Sequence, residues 1–307
     1  MSAPPLPFGE WTLLDRLGMG GTSEVFCATH PDFSHPVALK RLLPTLRHLP
    51  AAHALLAHEI QVLSQLHSPQ IPRVLRHGTT NELPWLALPL LHGANLQELL
   101  RAGPLDAQPT YWLGAQIAQA LAVGHRAGFV HADLSPHNVF LTQDLHVFLL
   151  DWGIAQPMRA PSPVPQVRGK GPFLSPEQIR QEPLDARSDL FALGAVLATL
   201  LLGKPPFLRA NRQETLEAVL AAQLPQHADL APFVDLLAAN PQQRPQLAET
   251  VADRLLAQVR DATQVHVFLR QRLLQPPRML SEIPWQSAEL RGEQVTDPGL
   301  DDGAARN

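Results

Sequence analysis

The sequence predicts an α+β fold in two lobes, a small sheet-rich one followed by a larger, mainly helical one, and three observations carry that reading. Residues 11 to 40 alternate apolar and polar positions around a glycine cluster, the period of half-buried strands. A single helical period interrupts this half, with apolar residues at 55, 56, 60, 63 and 66. From residue 96 onward the long segments read as helices.

In chain order, WTLLDRLGMGGTSEVFCATH and HPVALKRL predict three strands joined by tight turns. The helix AAHALLAHEIQVLSQL at 51 to 66 is closed by Pro69 and Pro72. The apolar runs IPRVLRHG and LPWLALPLL complete the sheet half. Then come NLQELLRAG and TYWLGAQIAQALAVGHRAG as helices, short strands around VFL and HVFLLDWG, and long helices at about 189 to 202, 212 to 223, 229 to 239 and 246 to 274. The segment 276 to 307 has four prolines and six acidic against three basic residues, and reads as a mobile acidic tail. Residues 156 to 171 form a proline-rich loop inside the larger lobe, a length that usually marks function.

At 307 residues, 45% hydrophobic and 17% charged, the chain can bury a sizeable core. A net charge of -4 without basic blocks leaves no footprint for nucleic acid. The single cysteine, Cys27, excludes an internal disulfide framework and fits a reducing, cytoplasmic compartment as a half-buried strand residue. His53 and His58, five apart, fall on different helix faces and do not make a metal pair. MSAPPLPFGEW has no secretory signature, and the longest apolar run, 190 to 203, is too short for a membrane span and reads as a buried core helix.

Gly18 and Gly20, in LGMGGTSEV, let backbone approach a ligand, although such a pair alone is more often an ordinary hairpin. One strand later Lys40 ends VALK, and a lysine on a buried strand needs an anion; Glu59 can supply it. In HADLSPHN, Asp133 can accept or orient a hydroxyl proton and Asn138 can ligate a metal. Asp151, in LLDWG, is placed as a strand-end carboxylate that holds a divalent ion against phosphates, and magnesium prefers such a site.

These motifs, with SPE at 175 to 177, DARSDLFALG at 185 to 194 and NPQQRP at 240 to 245, occur in the order of the eukaryotic-type Ser/Thr protein kinases also found in bacteria, which residues 8 to 258 resemble. The resemblance implies a bilobal kinase fold with an N-lobe at about 8 to 88, a hinge at 89 to 91 after the gatekeeper Leu88, and a C-lobe at 92 to 258. A helical extension at 259 to 275 would precede the tail. It implies ATP and Mg2+ as cofactors and a protein substrate, since small-molecule phosphotransferases lack the late motifs. By the same resemblance Lys40 holds the α/β-phosphates and pairs with Glu59, Asp133 is the catalytic base, and Asn138 and Asp151 hold the metal. Leu17, Gly18, Gly20, Val25, Ala38, Pro89, Leu91 and Phe140 would contact the nucleotide. Glu177 would bridge to Arg244, and Asp189 would brace the catalytic loop.

Four positions depart from the family. Ser23 replaces the third glycine. Ala132 stands where an arginine commonly grips a loop phosphate, which argues against gating by activation-loop phosphorylation. Ser135 stands where a lysine steadies the transferred phosphate, a loss of a few kcal/mol of transition-state electrostatics if nothing replaces it. Lys170, in RGKGPFLSPE, occupies a position the family gives to threonine, and the expectation is that its ammonium does the work of the absent lysine. Two other readings stay open: a pseudokinase scaffold that binds nucleotide or a partner without transfer, and partner docking through the C-terminal helix and tail. No membrane partner is expected.

Overall fold

The alternation of the first half becomes a six-stranded antiparallel sheet in the computed structural model, which describes residues 4–159 and 171–275. Its strands are β1 (Leu6–Phe8), β2 (Trp11–Met19), β3 (Ser23–Thr29), β4 (Val37–Leu42), β5 (Arg76–Thr80) and β6 (Leu83–Pro89), with helix α1 (Pro50–Leu63) between β4 and β5. The spatial order is β1-β2-β3-β4-β6-β5. Phe8, Trp11, Leu13, Phe26, Leu39 and Trp85 pack into one apolar cluster on this sheet. The other face is left for Val25, Ala38 and Lys40.

Two features of this lobe differ from the sequence reading. Strand β1 is three residues long, too short for a period to show. In the run IPRVLRHG only the last part is strand, beginning at Arg76, while Ile71 is buried in the larger core. Pro72 has no N–H for a ladder, which keeps its neighbours out of the sheet.

The second lobe contains β7 (Gly93–Asn95), α2 (Leu96–Leu100), α3 (Ala107–Arg126), β8 (Phe129–Val130), β9 (Val139–Thr142), β10 (Val147–Leu149), β11 (Gln156–Pro157), α4 (Pro176–Ile179), α5 (Ala186–Leu202), α6 (Arg212–Leu220), α7 (Ala248–Leu256) and α8 (Ala262–Leu274). Helix α5 is buried at every residue from Ser188 to Leu201, as its all-round apolar sequence requires. Asp185 caps it by accepting from Arg187 N–H, and Gly203 ends it at φ +71°. Helix α3 packs against α5 and α7. The short ladders β7-β9-β10 and β8-β11 hold the loops that follow α3. No helix among the described residues is long and apolar enough to cross a membrane.

The predicted helix at 229 to 239 is instead two 3-10 turns, Ala228–Leu230 and Val234–Leu237. Pro232 explains the break, since it has no N–H to continue the helix, and the chain leaves helical geometry just after it, at Phe233, φ -143°. The stretch at 246 to 274 is also two helices, because Asp261 turns its side chain to cap Gln264 N–H and starts α8 afresh. Val265 and Leu269 of α8 are buried in the main core, so the inner face of this helix is already committed. The acidic tail from 276 onward lies outside the described residues, as does most of the proline-rich loop.

Candidate active site

The β2–β3 hairpin turns through Gly20, Gly21 and Thr22, with Gly20 N–H bonded to the Ser23 carbonyl at 2.7 Å. A Cβ added at Gly18 would meet nothing within 4 Å. Packing inside the protein therefore does not require a glycine at that position, and the open space above it is what a ligand's phosphates need. Strand register places Gly18 opposite Val25, Val25 opposite Lys40, and Cys27 opposite Ala38. Alternation then puts Val25, Cys27, Ala38 and Lys40 on one face. Val25, Ala38, Leu91 and Phe140 are half-buried, and Leu17 is exposed. Pro89 ends β6, Leu91 lies between β6 and β7, and Phe140 of β9 pairs with Asn95 of β7. The apolar rim and the segment after β6 are thus joined through adjacent strands.

Lys40 is the centre of the charged part. Its Nζ lies 2.7 Å from Glu59 Oε2 and 3.0 Å from Asp151 Oδ1, which links β4, α1 and the segment after β10. Burial works against the ammonium, but the carboxylates of Glu59 and Asp151 overcome it and hold its pKa well above the ordinary lysine range. The same ammonium keeps the Asp151 carboxyl below its usual value despite burial. For Glu59 burial is the larger effect and pushes the carboxyl up against the pull of Lys40. Asp151 remains 47% exposed at its side chain, so it can still reach a ligand.

Below Lys40, the loop after β8 carries the second group. Asn138 Nδ2 donates to Asp133 Oδ2 at 2.9 Å and to the Asp133 carbonyl at 2.7 Å, which leaves the amide oxygen of Asn138 outside both bonds. Asp133 N–H donates to His131 Nδ1 at 3.2 Å, and the other ring nitrogen lies 2.9 Å from the Leu150 carbonyl. A carbonyl only accepts, so His131 carries its proton on Nε2 and ties the loop to the residue before Asp151. Asp189, 1% exposed on α5, accepts from His131 N–H at 2.8 Å and Ala132 N–H at 2.9 Å. These two bonds hold Ala132 at φ +64°.

Among the described residues no three His, Cys, Asp or Glu side chains form a metal cage, and His53 and His58 each bond a main-chain carbonyl instead. Asn138 and Asp151 offer oxygens in the number magnesium takes from protein when phosphates and water complete its shell. The donor set fits that ion. Glu177 meets Arg244 at 2.7 and 3.0 Å, both buried. Ser135 is fully buried. Lys170 lies outside the described residues, and so does its relation to Asp133.

Several contributors were invisible in the sequence reading. His125 Nε2 lies 2.8 Å from Asp189 Oδ2, and Gln178 Nε2 donates to the Ala132 carbonyl at 2.8 Å. Both support the loop from distant helices, and no local pattern marks them. Gly124 and Trp152 are matched in shape: a Cβ at Gly124 would fall 2.5 Å from the indole. Trp152 is 1% exposed and meets His131 edge-on at 4.7 Å.

Comparison with known proteins agrees with this geometry. The family model described as protein kinase domain matches residues 11–262. The serine/threonine-protein kinase PknB of Mycobacterium leprae is 34% identical over 68% of this chain and 35% of its own length. A probable serine/threonine-protein kinase of Streptomyces coelicolor is 36% identical over 68% of this chain and 32% of its own. PknB of Mycolicibacterium smegmatis is 31% identical over 81% of this chain and 43% of its own. The chain thus spans a third to less than half of the length of these relatives. It belongs to the protein kinase family, among the eukaryotic-type Ser/Thr kinases of bacteria.

Proposed function

We propose that this chain transfers the γ-phosphate of ATP to serine or threonine hydroxyls of protein substrates, with Mg2+, in the cytoplasm. The observation that carries the reading is the convergence of Glu59, Lys40 and Asp151 within 3.0 Å contacts beneath an open glycine turn. In this reading Lys40 orients phosphate oxygens while Glu59 holds its ammonium in place, and Asp133 receives the acceptor hydroxyl, aimed by Asn138. ATP supplies the phosphoryl group and magnesium neutralises its oxygens. Leu17, Val25, Ala38, Pro89, Leu91 and Phe140 hold the base, and Gly18 and Gly20 admit the phosphates.

Transfer does not wait for a loop phosphate in this reading, because Ala132 offers no cation and packs with Val130, Leu184 and Met158. Lys170 supplies the charge that Ser135 lacks. Lys170→Ala is then expected to lower kcat about 100-fold while ATP affinity changes little, and an unchanged kcat removes that role.

The deciding experiment is incubation of wild type and Asp151→Asn with ATP, magnesium and a generic protein acceptor. Transfer by wild type, lost in Asp151→Asn, supports the kinase. The buried, uncharged Ser135 favours a second reading, a scaffold that keeps the fold and binds without transfer. Absence of transfer from both proteins, with ATP binding retained, selects it.

A further inference from the structure

Helix α1 carries Glu59, and at its start His53 Nε2 lies 2.6 Å from the Arg47 carbonyl, just ahead of the helix. The N-cap position, Leu49, makes no side-chain bond to the first turn, which contains no acidic residue. Ala51, Ala54 and Ala57 are exposed along its outer side. Among the described residues, two polar routes tie the helix to the larger lobe. One is the relay from Glu59 through Lys40 to Asp151.

The second route is direct. His58 Nε2 lies 2.5 Å from the carbonyl oxygen of Ala155, four residues past Asp151. The carbonyl accepts, so the ring donates from Nε2. Ala155 is buried and closes a turn, its N–H bonded to the Trp152 carbonyl at 3.1 Å. The next two residues pair with β8, and Met158 N–H bonds the Gly128 carbonyl at 2.9 Å. His58 therefore grips a segment that is fixed to the catalytic loop on its other side.

The two routes differ under load. On the proposed phosphotransfer, Lys40 would hold phosphate oxygens and Asp151 the metal, and their 3.0 Å contact would be given up. The His58 bond uses neither group and can persist. We propose that His58 is a positioning residue that clasps α1, and with it Glu59, onto the segment carrying Asp151. The inference rests on the proposed phosphotransfer. A ring and a main-chain carbonyl form this clasp, so no modification of the loop is needed to close it.

The test compares wild type, His58→Ala and His58→Gln for transfer kinetics. In parallel, spin labels at Ala54→Cys on α1 and Glu217→Cys on α6, in a Cys27→Ser background, report the helix position. His58→Ala is expected to lower kcat about tenfold with the KM for ATP within about twofold, and to broaden the label distance distribution. His58→Gln, whose amide can donate to the same carbonyl, is expected to restore kcat to within about threefold and to narrow the distribution. The proposal is overturned if His58→Ala matches wild type in both readouts, or if His58→Gln is no better than His58→Ala. Should wild type transfer no phosphate, the kinase reading falls separately. The label distances then decide the clasp alone: broadening upholds it and an unchanged distribution overturns it.

Discussion

At Ala132 a single residue shows how the surroundings of a site change with one side chain. Its φ of +64° costs an alanine about 1 kcal/mol, and the two bonds that His131 N–H and Ala132 N–H donate to Asp189 hold it there. The side chain points into the patch formed with Val130 and Leu184, against which Met158 packs. A guanidinium at this position would enter the apolar patch of Val130 and Leu184. Ala132→Arg is therefore expected to destabilise the protein by about 2 kcal/mol, measured by urea unfolding. Equal stability would falsify the view that apolar packing has replaced a phosphate grip. The sequence displayed the missing arginine, but Leu184 and Met158 lie far along the chain and were not legible as its replacement.

The element scale is set by how closely α3 approaches the segment after β10. Trp152 lies against α3 where Gly124 has no Cβ, and it faces His131 on its other side. Alanine in a helix is ordinarily worth up to about 1 kcal/mol over glycine. Here the added methyl meets the indole at 2.5 Å, and steric strain outweighs the propensity. Gly124→Ala is expected to cost about 2 kcal/mol, and Trp152→Phe, which removes the clashing ring atoms, to recover at least about half of that in the double variant. A strictly additive double variant sinks the matched-pair account; thermal and urea unfolding of the four proteins decide it. Helix ends belong to this scale too. Pro232 stands inside the stretch 229 to 239 that the sequence predicts as one helix, and two 3-10 turns flank it instead.

For the whole molecule, the larger lobe is braced by Glu177 and Arg244, brought together from α4 and the turn before α7. Burial raises the Glu177 carboxyl, but the bonds from Arg244 and Ser188 outweigh it and leave the pKa below the ordinary 4.5. A depressed carboxyl contributes stability that is fully present above 4.5 and is lost as pH falls through the lower folded value. Glu177→Gln leaves Arg244 buried without its counter-charge and is expected to cost about 3 kcal/mol at neutral pH. Because the variant has no carboxyl to protonate there, its stability should fall less steeply than wild type's in the acid range. Urea titrations at neutral and acid pH check both parts, and parallel pH profiles count against the assignment.

The sequence alone determined the two-lobed class and the buried nature of α5, and it singled out Lys40, Glu59, Asp133, Asn138 and Asp151 as candidates, because those rest on local period and on motif order. Gly18 and Gly20 could be named in the same way, as positions where backbone can approach a ligand. Only the tertiary structure showed that Gly18 faces open space, that Lys40 meets both carboxylates at once, and that His58, His125, Gly124 and Gln178 support the site. Apart from the open space at Gly18, each of those facts is a distance between residues apart in the chain, and such distances are fixed by the packing of α1, α3 and α5 around the loops, which no local pattern encodes.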